Sequence, residues 1–351
     1  MTKPLDSVRR VHASVVVLAV CLPLAGASLL GCTGAGPTTS SDSSAGQLRV
    51  VATTGMVADL VREIGADLVS VQQLMGPGVD PHLYKATRDD VAAISAADAV
   101  FYSGLLLEGK MTDTLKKVGR NKPVHAVTEL IDEGALIEPE DAGGHADPHV
   151  WMDLTAWRQC VDAVRDSLVE SLPDQAGTLA ENAERYRAEL TELDAYARQT
   201  LATIPPGQRV LLTSHDAFNY FGRAYELEVI GVQGLSTESE AGLQRINTLV
   251  DLLVERQVPA VFVESSVSSK NIRALVDGAA ARGHEVRIGG ELFSDAMGQA
   301  GTYEGTYVGM LDHNVTTVAR ALGGQAPERG LRGRLGAGPL ETAEADPEPA
   351  E

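Results

Sequence analysis

The sequence predicts an α/β protein of two lobes, each built on a parallel sheet, with one long helix joining them. Short β-branched runs alternate with amphipathic helical stretches, the pattern of strands fed by crossover helices. The alternation occurs in two series, one ending near residue 127 and one beginning near residue 209. Between them lies a proline-free stretch whose apolar residues recur at helical spacing. At 351 residues and 44% hydrophobic, the chain is long enough for two such domains.

The elements follow in order. Residues 1–31 read as a signal peptide: Lys3, Arg9 and Arg10 precede a mostly apolar run from Val11 to Leu24 that is short for a membrane span. Leu29-Leu30-Gly31-Cys32 resembles a bacterial lipobox, which implies cleavage before Cys32 and a lipid on its sulfur. Residues 32–47, rich in Gly, Ser and Thr, form a flexible tether spanning roughly 20 Å. The N-terminal lobe occupies 48–173, with strands predicted at 48–53, 69–74, 99–103 and 123–127. The linking helix occupies 174–204, bounded by Pro173 and Pro205-Pro206. Its stripe is Leu179, Ala183, Tyr186, Leu190, Leu193, Ala197 and Leu201, and a rod of roughly 45 Å would resist wide hinge opening. The C-terminal lobe occupies 205–325, with strands predicted at 209–214, 227–232, 260–265 and 285–289. Residues 326–351, rich in Gly, Pro and Glu, read as a disordered tail.

Charge and cysteine narrow the function classes. The formal charge is −19, and losing residues 1–31, with three basic and one acidic side chain, takes it to −21. Such a chain has no electrostatic footprint for nucleic acid and is repelled by anionic lipid, so attachment to a membrane would rest on the lipid. Cys21 leaves with the signal and Cys160 stands alone in a helical pattern, so the mature chain has no pair for a structural disulfide.

Gly104 to Met111 (GLLLEGKM) nearly matches a phosphate-binding loop, but Met111 stands where a hydroxyl should reach magnesium and three Leu fill the wrapping stretch. Nucleotide binding is therefore not expected. His82 and His149 each sit in an Asp-Pro-His loop, where the Pro stiffens the backbone and presents the imidazole from a non-helical turn. His215 ends the first strand of the second lobe, and Asp295 lies just past that lobe's last strand. Ligand crevices in α/β folds lie at the carboxyl ends of parallel strands. Three imidazoles and a carboxylate, if they converge, close a tetrahedral or five-coordinate metal site. His125, His284 and His313 read as structural or solvated. Glu264, at a strand terminus, either orients a ligating imidazole or caps the next helix; Asp80 and Asp147 either do the same or shape their turns.

The segments DPHLYKATRDD, GLLLEGKM, DPHVWMD, LLTSHDAFNYFGRAYELEVIGVQGLSTESE, VFVESSVSSKNI and GGELFSDAMGQAGTYEGTYVGM resemble the cluster A-I metal-binding lipoproteins of zinc and manganese ABC transporters, most closely the TroA-type members. The resemblance runs from about residue 48 to 322. It implies two (βα)4 lobes joined by one helix, and it places the family's metal ligands on His82, His149, His215 and Asp295, with the ion in the interlobe cleft. It further implies a monomeric lipoprotein, anchored on the outer side of the bacterial cell membrane. Such a protein hands Zn2+ or Mn2+ to a membrane permease driven by a cytoplasmic ATPase.

The metal is less determined. Manganese specialists of the family typically carry Glu where His215 stands, and zinc specialists often carry a long His-rich loop where this chain offers His145 alone. Nitrogen-rich coordination favours zinc as the tighter binder. A manganese- or iron-specific receptor, or an adhesin-type lipoprotein with a structural metal, is the alternative. No catalysis is expected: four protein ligands leave no open position for an activated water, and no HExxH motif occurs. Because imidazole must be neutral to bind, affinity is expected to fall as pH drops through about 6.

Overall fold

The computed structural model describes residues 46–139 and 143–336. The signal peptide, Cys32 with most of the tether, and residues 337–351 lie outside the described residues. The first lobe holds β1 (Leu48–Ala52), α1 (Gly55–Gly65), β2 (Val69–Gln73), α2 (Arg88–Ala96), β3 (Ala99–Tyr102), α3 (Thr112–Val118) and β4 (Val124–Ala126). Its strands form one parallel sheet in the order β2-β1-β3-β4. Val50, Ala52 and Phe101 are buried because helices cover the sheet. Thr54 caps α1 by accepting the Val57 N–H, and Thr87 and Asp90 form a reciprocal capping box at the start of α2.

The helix α4 (Leu154–Ser171) packs on α1, and after a single 3-10 turn at Pro173–Gln175 the long helix α5 (Ala176–Leu201) links the lobes. Every residue of the predicted α5 stripe is buried, which packs this helix on α1, α4 and α9. The second lobe holds β5 (Val210–Thr213), α6 (Asn219–Tyr225), β6 (Glu228–Gly231), α7 (Leu243–Glu255), β7 (Ala260–Glu264), α8 (Lys270–Ala281), β8 (Arg287–Leu292) and α9 (Tyr307–Ala321). Its strands pair in parallel as β5-β6 and β7-β8, with β5 alongside β7.

Two expectations need correction. The last strand does not stop at residue 289 but continues through Gly289 and Gly290 to Leu292, with a register shift against β7 between Val261 and Val263. A Cβ on Gly289 would lie 2.7 Å from the Ala321 Cβ and 2.8 Å from the Phe262 ring, so this glycine serves close packing, not a turn. The disorder expected from residue 326 does not hold for the described part of that segment. Residues up to Gly336 fold back: Leu331 N–H donates to buried Asp312 at 2.9 Å, Arg334 lies 4.3 Å above the Tyr303 ring, and Leu335 is buried. Composition reports mean burial, whereas this strap is fixed by a few specific contacts.

One apolar core runs through both lobes, from Val50, Leu60 and Ile64 through Trp157, Tyr186 and Leu190 to Phe221, Met310 and Val315. Among the described residues no helix is long and apolar enough to cross a membrane.

Candidate metal centre

Each side chain of the centre comes from a strand's carboxyl end or a loop beside it. The loop after β2 supplies His82, the loop before α4 supplies His149, the turn after β5 supplies His215, and the loop after β8 supplies Asp295. All four are buried, with one donor atom from each lying within 4.8 Å of the others. His82 Nε2 lies 3.3 Å from His149 Nε2 and 3.7 Å from Asp295 Oδ2. His149 Nε2 is 3.5 Å from Asp295 Oδ1, and His215 Nε2 is 3.2 Å from Asp295 Oδ2. The imidazole rings stand at steep angles to one another, 55° to 81°, so their nitrogens point at a common centre and the rings do not stack.

His215 Nε2 and both Asp295 oxygens are buried without a hydrogen-bond partner among the described residues. A carboxylate wholly withdrawn from water and left without a hydrogen bond is costly, and a divalent cation at the common centre removes that cost. A His3Asp donor set suits Zn2+ or Mn2+.

The protons are distributed unevenly. Burial pushes the His82 imidazole down to about 4, against an upward pull from Asp295. Burial would also lower His215, but Glu264 and Asp295 on its two sides outweigh it and hold this imidazole well above its ordinary value. For Asp295 burial acts upward, and the imidazoles, His215 foremost, hold the carboxyl below the usual range.

Supporting contacts separate the two Asp-Pro-His loops. Asp147 Oδ1 accepts both the His149 backbone N–H at 2.9 Å and lies 2.7 Å from ring Nδ1. Asp80 Oδ1 accepts only the His82 backbone N–H at 2.8 Å, while its other oxygen takes the Thr237 hydroxyl from the second lobe. Glu264 meets His215 through both oxygens, at 2.8 Å from the backbone N–H and 2.5 Å from ring Nδ1. Asp147 and Glu264 thereby turn Nε2 of His149 and His215 towards the centre.

Sequence reading missed several partners. Trp151 donates to the Ser294 carbonyl at 2.9 Å and its ring packs against His149, while the Tyr307 hydroxyl donates to the Trp151 carbonyl at 2.6 Å. The only sequence signal was an aromatic two residues past a candidate ligand. Lys110 and Glu238 pair at 2.9 Å between the lobes. A cavity of about 350 Å³, lined by His82, Leu105, Leu106, His145, Pro148 and Leu235 among others, opens beside the centre.

His125, His284 and His313 lie elsewhere. His125 stacks on Phe101, and His284 and His313 lie 2.9 Å from the carbonyls of Val258 and Glu291. In the near-match to a phosphate loop, the N–H groups of Ser103 and Gly104 donate to buried Glu108, whose carboxylate stands where an anion would have to sit.

Residues 50–321 match the family model described as zinc-uptake complex component A, periplasmic (ZnuA). The chain belongs to the ZnuA family. It is 50% identical to manganese-binding lipoprotein MntA of Bacillus subtilis over 290 residues, covering 83% of this chain and 94% of that protein. It is 48% identical to zinc-binding protein TroA of Treponema pallidum over 284 residues, covering 81% and 92%. The solved structure of that periplasmic TroA superposes with a TM-score of 0.77 over 79% of this chain and 99% of the other. ZnuA membership agrees with the two-lobed parallel α/β architecture and its long linking helix.

Proposed function

We propose that this protein is an extracytoplasmic receptor that captures a divalent metal ion, zinc or manganese, and delivers it to the permease of an ABC importer. His82, His149, His215 and Asp295 are the ligands, and the ion is cargo. The observation that carries the reading is the set of buried donor atoms around one point, with His215 Nε2 and both Asp295 oxygens lacking a hydrogen-bond partner among the described residues. The relatives named for manganese and for zinc support this class of cargo and leave the physiological ion between the two. With three nitrogen donors in the set, zinc is the tighter binder. Four protein ligands leave no place for an activated water, so the centre holds the ion and catalyses nothing.

Membrane attachment through a lipid on Cys32, and action as a monomer beside a permease and its ATPase, complete the proposal. The test is titration of metal-free protein with zinc and manganese. His215→Ala and Asp295→Ala are each expected to weaken zinc binding by orders of magnitude, and an unchanged affinity in either removes that residue from the ligand set.

A further inference from the structure

We infer that Asn219 is a positioning residue for His149: acting from the second lobe through Asp147, it fixes which ring nitrogen of His149 faces the metal. The inference rests on the metal-receptor reading. His149 stands in a loop outside any strand, so no sheet register fixes its ring. Its orientation comes from one carboxylate oxygen, Asp147 Oδ1, which holds the backbone N–H and the ring Nδ1 together. An imidazole that donates from Nδ1 presents Nε2 as a lone pair.

Asp147 can do this only if its own carboxylate is held. Its side chain is wholly buried, and Asn219 Nδ2 donates to its second oxygen, Oδ2, at 3.1 Å. The neighbouring Tyr220 donates its hydroxyl to the Asp147 carbonyl at 2.8 Å and accepts the Ile137 N–H at 3.1 Å. One turn further along α6, Arg223 donates to Asp153, the cap of α4, at 3.2 Å. Asn219 lies four residues past His215, so one short segment carries one ligand and holds the support of another from the opposite lobe. His149 and His215 are thereby assembled across the cleft as one unit. His82 has no such support, since Asp80 reaches only its backbone.

The amide is the informative feature. As a neutral donor it satisfies Oδ2 and leaves Asp147 an acceptor for the ring. Asn219 is also the first residue of α6, where an acidic side chain suits the helix N-terminus. If starting the helix were its role, Asn219→Asp would serve as well or better. If it positions Asp147, Asn219→Asp sets a new carboxylate against Asp147 and against Asp216, which the amide also meets, and is worse than Asn219→Ala.

The test measures zinc affinity by chelator competition and the visible absorption of the cobalt-loaded protein, with melting of the metal-free form as a control. Wild type is expected to bind tightest, Asn219→Ala about tenfold more weakly, the scale of losing a partner behind a ligand, and Asn219→Asp more weakly again. The cobalt band should change in both variants while melting moves little. In an Asp147→Asn background, Asn219→Ala should cost nothing further, because the link is already cut. Affinity retained in Asn219→Asp, or a fully additive loss in the double variant, overturns the inference. The Ala variant and the double variant carry the test if Asn219→Asp does not fold. A wild type that binds no metal would instead overturn the receptor reading.

Discussion

His215 is the residue through which pH enters. It lies between Glu264 and Asp295, whose charges hold its proton above the ordinary imidazole value of 6.5, while His82 sheds its proton down to about 4 and is a ready ligand throughout. With His215 as a proposed ligand, metal entry displaces its proton, which moves the competition to higher pH than a solvent-exposed imidazole would give. Apparent zinc affinity is expected to climb as pH rises from about 5.5 and to keep climbing above 6.5. Loading near neutrality should release a proton, read by calorimetry in buffers of different ionisation enthalpy. His215→Ala should lose that release; an affinity flat above 6.5 would contradict the assignment. The four candidate ligands were legible because loops at strand ends are where such side chains gather. The different duties of Asp80 and Asp147 were not, because identical tripeptides meet different neighbours across the cleft.

At the scale of elements, the strands were legible to within a residue or two because β-branched runs between helices leave few alternatives. The departures are places where packing overrides local meaning. Gly289 lies inside a strand because Phe262 and Ala321 leave no room for a Cβ. The strap up to Gly336 is ordered because Asp312, buried in α9, takes a hydrogen bond from Leu331 N–H, and because Gly330, at φ 64°, would bring a Cβ within 2.3 Å of that carboxylate. Arg332 adds an ion pair to Glu189 and Glu192 on α5. A chain ending at Gly336 is expected to melt with the full chain, and one ending at Ala326 about 5 °C lower, as loss of roughly 1–2 kcal/mol implies for a body of this size. Equal melting of the two truncated chains would show that the strap adds nothing.

At the scale of the molecule, the shared core makes the two lobes one body, and Asp59 is where that body carries a cost. This carboxylate on α1 accepts the Tyr307 N–H of α9 at 3.2 Å and the Tyr186 hydroxyl of α5 at 3.3 Å, joining first lobe, linking helix and second lobe. Burial, with the nearby Glu63 charge, raises it from 3.8 to about 7. Between those values the folded chain holds a proton that the unfolded chain has lost. The stabilisation from this group is therefore complete below 3.8 and is lost as pH rises through about 7. Asp59→Asn stays neutral throughout, and its carbonyl accepts the same two hydrogen bonds. Metal-free wild type and variant should thus unfold in urea at similar concentrations near pH 4. The variant should pull ahead as pH rises, by up to a few kcal/mol near pH 8 at about 1.4 kcal/mol for each pKa unit. Carrying out the comparison with chelator present keeps metal linkage at His215 out of the difference. Curves that stay parallel from pH 4 to 8 would mean that Asp59 is ionised in the fold despite its burial, with the interlobe contact stabilised by the charge on the α9 N-terminus.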